Sequence, residues 1–101
     1  MQVLNVLILQ NFAKKHSDSQ KSISTWRTIV NDVSWKSKQQ VLADFPNAKA
    51  IKGNRARFKI THNKYRLIAE ILYEEQIVII RFIGTHKEYD NIDPVTVAMK
   101  P

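Results

Sequence analysis

Ile77-Val78-Ile79-Ile80-Arg81-Phe82-Ile83-Gly84-Thr85-His86-Lys87-Glu88-Tyr89-Asp90 passes without a break from an apolar, β-branched run into a series of titratable side chains. A run of this kind predicts a strand buried on both faces. Arg81 is its one internal charge, and Gly84 marks a kink. A hydroxyl, an imidazole, an ammonium, a carboxylate and a phenol follow at once. A core strand and a candidate active site are therefore joined end to end.

Working back from this strand, the pattern alternates through Ala56 to Ile60 and Tyr65 to Leu72, which predicts two more strands. The polar connectors Thr61-His62-Asn63-Lys64 and Tyr73-Glu74-Glu75-Gln76 have the length of hairpin loops. Asn47 to Asn54 reads as a loop. Further back the period becomes helical. Ile23, Trp26, Ile29, Val30 and Val33 form one stripe of a helix that Ser17 or Asp18 can cap. Leu4, Leu7, Ile8 and Phe12 predict an earlier helix from about Asn5 to His16, after a short edge strand at Met1 to Val3. Ser37-Lys38-Gln39-Gln40 resembles a capping box for a short third helix, with Val41, Leu42 and Phe45 inward and Pro46 as the stop. Trp26 and Trp35 are assigned to the core on burial preference. After the opening stretch, Asp93 caps and Pro94 opens one helical turn through Ala98.

The chain has 101 residues, 44% of them hydrophobic, so we expect a single domain over residues 1-101 with one core. There is no cysteine, hence no disulfide framework and no thiolate chemistry, and a cytoplasmic address is expected. Met1 to Leu9 is too short to span a bilayer and lacks the features of a signal peptide, so no membrane association is expected. The net charge is +7. Lys49, Lys52, Arg55, Arg57, Lys59, Lys64 and Arg66 lie in one segment with no Asp or Glu, and the other nine basic residues are matched by nine acidic ones. All the excess charge is thus local, and a polyanion is the expected partner.

Counting outward from the two hairpin loops puts Lys59 opposite Arg66 and Ile68 opposite Arg81. One face then carries Phe58, Ile60, Tyr65, Leu67, Ala69, Ile71, Val78, Ile80, Phe82 and Gly84, and should receive the helices. The other carries Arg57, Lys59, Arg66, Ile68, Glu70, Ile79, Arg81 and Ile83. Like charges side by side on adjacent strands oppose folding by up to about 1 kcal/mol per pair. Keeping Lys59, Arg66 and Arg81 together therefore suggests a phosphate, whose oxygens a guanidinium engages in pairs. The competing reading is that Glu70, Glu88 and Asp90 neutralise the cluster internally.

His16, His62 and His86 lack metal-ligand spacing, and the chain has no phosphate-binding glycine loop and no nucleophile elbow. Acid–base chemistry by side chains alone remains, with no cofactor. RNA backbone cleavage needs a base for the 2′-OH, an acid for the departing 5′-oxygen and cations for the phosphorane charge. Histidine is suited to the first role near neutral pH, and Lys87 and Tyr89 can donate protons. Arg66 and Arg81 can supply electrostatic stabilisation.

Asn63-Lys64-Tyr65-Arg66-Leu67 together with Ile80 to Asp90 closely resembles HigB-type toxins of bacterial toxin-antitoxin modules, within the RelE superfamily of messenger-RNA interferases. The likeness extends through Trp26, Ser34-Trp35-Lys36-Ser37, Phe45-Pro46 and Gly53-Asn54-Arg55, nearly the whole chain. It implies an α+β, RelE-like fold: a small antiparallel sheet with two to three N-terminal helices packed on one face. It further implies ribosome-dependent cleavage of translated mRNA, neutralisation by a HigA-type helix-turn-helix antitoxin, and contact with operator DNA only through the antitoxin complex. Carried onto this chain, the catalytic positions fall on Arg66, His86, Lys87 and Tyr89. RNA binding falls on Arg57, Lys59, His62, Lys64 and Arg81. We expect His86 as base, Tyr89 or Lys87 as acid, and Arg66 with Arg81 on the scissile phosphate. The alternative class is a non-catalytic nucleic-acid-binding module using the same basic face, and a third is a degenerate toxin kept as a structural partner of its antitoxin.

Overall fold

Alternating apolar residues in the second half of the chain build a sheet, and helical stripes in the first half supply the layer that covers it. The computed structural model describes Met1–Pro101. Its elements in chain order are β1 (Gln2–Leu4), α1 (Val6–Lys15), a turn of 3-10 helix (Ser17–Ser19), α2 (Gln20–Asp32), α3 (Lys38–Asp44), β2 (Lys49–Ile51), β3 (Arg55–Ile60), β4 (Tyr65–Leu72), β5 (Ile77–Thr85) and α4 (His86–Asp90). The sheet order is β1-β5-β4-β3-β2. The α+β class and the three N-terminal helices on one face are as the resemblance implied. None of the helices is long and apolar enough to cross a membrane.

The sheet differs from the all-antiparallel expectation in one strand. β1 pairs with β5 in parallel, Gln2 to Ile77 through Leu4 to Ile79. A parallel partner needs a crossover, and α1 to β4 supply it. The segment read as a loop at Asn47 to Asn54 contains β2, which pairs antiparallel with β3 from Lys49–Arg57 to Ile51–Arg55.

Both hairpins hold their expected ends, Ile60 opposite Tyr65 and Leu72 opposite Ile77, and Lys59 lies opposite Arg66. Between them the register shifts. Ala69 pairs with Ile80 but Ile68 pairs with Phe82, so Arg81 is the extra residue of a β-bulge. The expected pairing of Ile68 with Arg81 is corrected, and every face assignment from Phe82 onward inverts. Ile83 joins the helix-covered core, and Phe82 and Gly84 face the other way. Phe82 instead meets Tyr89 of α4, with ring centroids 6.2 Å apart.

The core gathers Ile8, Leu9 and Phe12 of α1, Ile23, Trp26 and Val30 of α2, and Trp35 and Val41 around α3, against the inner sheet residues. Both tryptophans are 2% exposed, as the burial preference predicted. The Trp35 indole donates to Asp44 Oδ2 at 2.8 Å, and its ring lies parallel to Phe58. Ser37 caps α3 by accepting from the Gln40 backbone N–H, while the Gln40 side chain accepts from Lys36 N. The box is therefore closed one residue early. Neither Ser17 nor Asp18 caps α2 through its side chain; the Asp18 carboxylate is engaged by the β3–β4 turn instead. The Asp93 carboxylate does accept from Val95 N, but the tail forms a turn rather than a helix.

Past that turn the tail lies across the outer side of the sheet. Arg55 donates to the carbonyls of Pro94 (3.1 Å) and Val97 (2.7 Å), and Met99 N donates to Arg81 O (2.8 Å).

Candidate active site

At the end of β5 the backbone turns into α4, and the turn is built by a reciprocal cap. Thr85 Oγ1 accepts from Glu88 N while Glu88 Oε1 accepts from Thr85 N at 2.8 Å, which ties the helix start to the strand end. Gly84 makes room for it. A Cβ there would lie 2.6 Å from Phe82 Cζ and 3.1 Å from Glu88 Oε1, so the glycine serves close packing of α4 on the strand. Directly across from Gly84 is Arg66. With no side chain between them, Arg66 reaches the helix.

Three of the four expected catalytic residues meet there. Arg66 Nη2 is 3.2 Å from His86 Nε2 and 3.5 Å from Nδ1, and its guanidinium lies 5.6 Å from the centre of the Tyr89 ring. His86 Nε2 also contacts the carbonyl of Asn63, in the β3–β4 turn. A carbonyl only accepts and a guanidinium only donates, so Nε2 serves one of them at a time, donating to Asn63 O or accepting from Arg66. The fourth residue, Lys87, stands exposed at the next position of α4, where its carbonyl accepts from Asn91.

The cations divide into two groups. Glu70 takes Arg81 (3.1 Å) and Arg55 (3.4 Å), so internal neutralisation holds for these two. Arg81 thus lies on its expected face but is engaged by Glu70, whereas Lys59 and Arg66 stand opposite each other with no carboxylate partner. Arg57 and Arg66 have no carboxylate partner, and the Nε of each is buried without a hydrogen bond. Burial first, and the nearby Arg57 second, hold the Arg66 guanidinium below its ordinary pKa range, with Tyr89 and Asp90 opposing. A cation disfavoured in this way is one that an incoming anion relieves. Lys59 is exposed opposite Arg66 with its ammonium unpaired.

Lys64 and His62 lie in the turn itself. Lys64 Nζ is 2.5 Å from Asp18 Oδ2, and the buried Tyr65 donates to Asp18 Oδ1 at 2.7 Å. These two hydrogen bonds hold the Asp18 carboxyl below the usual carboxylate range. They also raise Lys64 and Tyr65 above theirs. Thr61 and His62 have φ of 54° and 62°, a left-handed pair without glycine, and Thr61 Oγ1 bonds Ser22 Oγ at 3.2 Å. For a β-branched residue this conformation costs about 1–3 kcal/mol and persists only where its surroundings impose it. Asp18 and Ser22 are those surroundings. The clasp holds the turn, and the turn presents Asn63 O to His86.

Sequence reasoning missed two contributors. The Asn63 carbonyl leaves no mark in side-chain chemistry, and the place of Asp18 before an amphipathic stripe suits a helix cap equally well. No curated protein matches the sequence at a significant level. A family profile does, over residues 19–92 of the 101, and it is that of the HigB toxins, described as the RelE-like toxic component of a toxin-antitoxin system. With the α+β fold and the arginine–histidine–tyrosine cluster in place, that match identifies the chain as a member of the HigB toxin family.

Proposed function

We propose that this toxin is an endoribonuclease that cuts translated mRNA on the ribosome and so inhibits translation. The whole chain would act as one toxin domain in the cytoplasm, neutralised by a HigA-type helix-turn-helix antitoxin and reaching operator DNA only through that complex. The observation that carries the reading is Arg66. It is a partly buried guanidinium with no carboxylate partner, set against the His86 and Tyr89 rings beside a second unpaired arginine, Arg57.

In this reading a scissile phosphate docks on Arg66, with Arg57 and Lys59 on the flanking backbone. His86 takes the proton of the 2′-OH, and the 2′-oxygen forms a bond to phosphorus as the bond to the 5′-oxygen breaks. Tyr89, whose ring lies 5.6 Å from the Arg66 guanidinium, returns a proton to the departing oxygen. The products are a 2′,3′-cyclic phosphate and a 5′-hydroxyl. Lys87, exposed on the same helix, is the alternative acid. Arg66 stabilises the charge that grows on the phosphorane, a contribution whose removal costs about 10²–10³ in rate in comparable sites. Arg81 and Lys64 contact RNA only if they leave Glu70 or the Asp18 carboxylate, and so act as secondary backbone contacts, while the unpaired His62 side chain is free to join them.

The test is cleavage of mRNA on programmed ribosomes, with cut sites mapped by primer extension. Wild-type protein is expected to cut with no divalent metal beyond the magnesium that the ribosomes require, and Arg66→Ala to lose at least about 10²-fold in single-turnover rate. Intact messages, or an Arg66→Ala, His86→Ala double variant as growth-inhibiting as wild type, overturn the proposal. Tight salt-dependent binding without scission would favour the non-catalytic module instead.

A further inference from the structure

Both edges of the sheet are only half covered by their outer strands, and the chain treats the two halves differently. β1 spans Ile77–Ile79 and stops. Beyond it, the edge of β5 is closed from within: Asn5 Nδ2 donates to Ile80 O, Met99 N to Arg81 O, and Ile83 N reaches Met99 Sδ. On the opposite side β2 covers Arg55–Arg57 and stops. Phe58–Ile60 have β4 on one side and no strand on the other.

A groove of about 550 Å³ runs along that open edge. α2 forms one wall with Lys21, Thr25 and Trp26, Phe45 to Ala48 close one end, and Phe58 to His62 form the floor. The charge around it is one-sided in effect. Asp18 is held by Lys64 and Tyr65, and Asp44 by the Trp35 indole. Lys21, Lys59 and His62 have no hydrogen bond or ion pair from their side chains, so the rim presents free basic groups.

We infer that this edge receives an extended, acidic segment of the antitoxin, added to the sheet as a strand in the line that β2 vacates. An open edge offers both N–H and C=O groups, and a peptide satisfies both kinds. A nucleic-acid backbone offers phosphate acceptors to the N–H groups and little to the carbonyls. Three residues of edge, at about 3.3 Å each, suit a segment of four to five residues. Its alternate side chains meet Phe58 and Ile60 on the helix side and Lys59 on the outer side, which calls for an alternating apolar and acidic pattern. The inference rests on membership of the toxin family and not on the ribonuclease reading, so either can fail without the other.

The experiment is amide hydrogen exchange on the free toxin and on its co-expressed complex with the antitoxin. Affinity is measured alongside for wild type and Lys21→Glu. Lys21 is exposed and unpaired, so this variant is expected to fold normally and to leave cleavage unchanged. The expected result is slowed exchange across Phe58 to His62 in the complex and about tenfold weaker antitoxin binding by Lys21→Glu, more pronounced at low salt. Unchanged exchange at Phe58 to His62 in the complex, with Lys21→Glu binding within twofold of wild type, overturns it. So does protection of this segment by mRNA on programmed ribosomes but not by antitoxin, which would make the groove an RNA surface.

Discussion

Replacing Gly84 with alanine tests the joint between core strand and candidate site. The added Cβ would sit 2.6 Å from Phe82 Cζ, closer than carbon atoms approach, and 3.1–3.2 Å from Glu88 atoms. Phe82 is 5% exposed and flanked by Tyr89, so it has little room to yield. Overpacking of this kind costs about 1–3 kcal/mol. Displacing Glu88 also loosens the reciprocal cap at Thr85, and loss of a cap costs about 0.5–2 kcal/mol. Taking the middle of both ranges with partial overlap gives a destabilisation of about 2–3 kcal/mol, out of a total of about 5–15 for a chain of this size. Thermal unfolding followed by circular dichroism should show Tm lower by about 10–20 °C. The double variant Phe82→Leu, Gly84→Ala separates the two contributions, since leucine has no atom at the Cζ position. In the Phe82→Leu background the added methyl should cost about 1 kcal/mol or less, the loosened cap alone. A Gly84→Ala Tm within about 2 °C of wild type would refute the packing of Phe82 beneath α4, and with it the inverted register after Arg81.

Glu70→Ala leaves Arg55, whose side chain is 9% exposed, and Arg81 without their shared carboxylate. Urea unfolding should show a loss of about 2–3 kcal/mol, less than the roughly 3–5 of a fully buried broken pair because Glu70 itself is a quarter exposed. Asp18 is held below its ordinary pKa, so its contribution to stability is complete above the usual carboxylate range and disappears as pH falls through the lowered value. Lys64 and Tyr65 are raised, so theirs is complete below their ordinary values and disappears as pH rises through the raised ones. Asp18→Asn should therefore flatten both the acid and the alkaline limbs of a Tm–pH curve, and limbs of unchanged slope would exclude the clasp. Tyr89→Phe should slow cleavage far more than it weakens binding to programmed ribosomes, read as a fall in single-turnover rate at saturating ribosome. A loss confined to binding would move the acid role to Lys87.

Much of the fold was legible because burial wrote it into composition. β3, β4 and the two connectors follow from alternation between polar turns, and the helices from single apolar stripes. β2 was not, because Lys49–Ile51 is too short to display a period and its flanks are those of a loop. The direction of β1 depends on the crossover rather than on its own three residues. The bulge was hidden for a different reason. From Ile77 to Phe82 both parities are apolar except at Arg81, and Ile83 and Phe82 suit either face, so no alternation existed to report the slip. For the candidate site, the sequence brought Arg66, His86 and Tyr89 to one place because they lie at the end of one hairpin. It put Arg81 on the right face with its partner Glu70 but opposite Ile68, because nothing in the strand marks Arg81 as the extra residue of the bulge.

The extra residue at Arg81 makes β5 two half-strands of opposite phase. Up to Ile80 the strand keeps time with the helix-covered core; from Phe82 onward it keeps time with the outer surface, and α4 inherits that phase. The distance from core to His86 is thus a matter of count rather than of composition. Deleting Arg81 would leave Ala69–Ile80 and Ile68–Phe82 as consecutive pairs of a regular ladder, so Phe82, Ile83 and Gly84 would keep their present surfaces and only the extra residue and its ion pair to Glu70 would be lost.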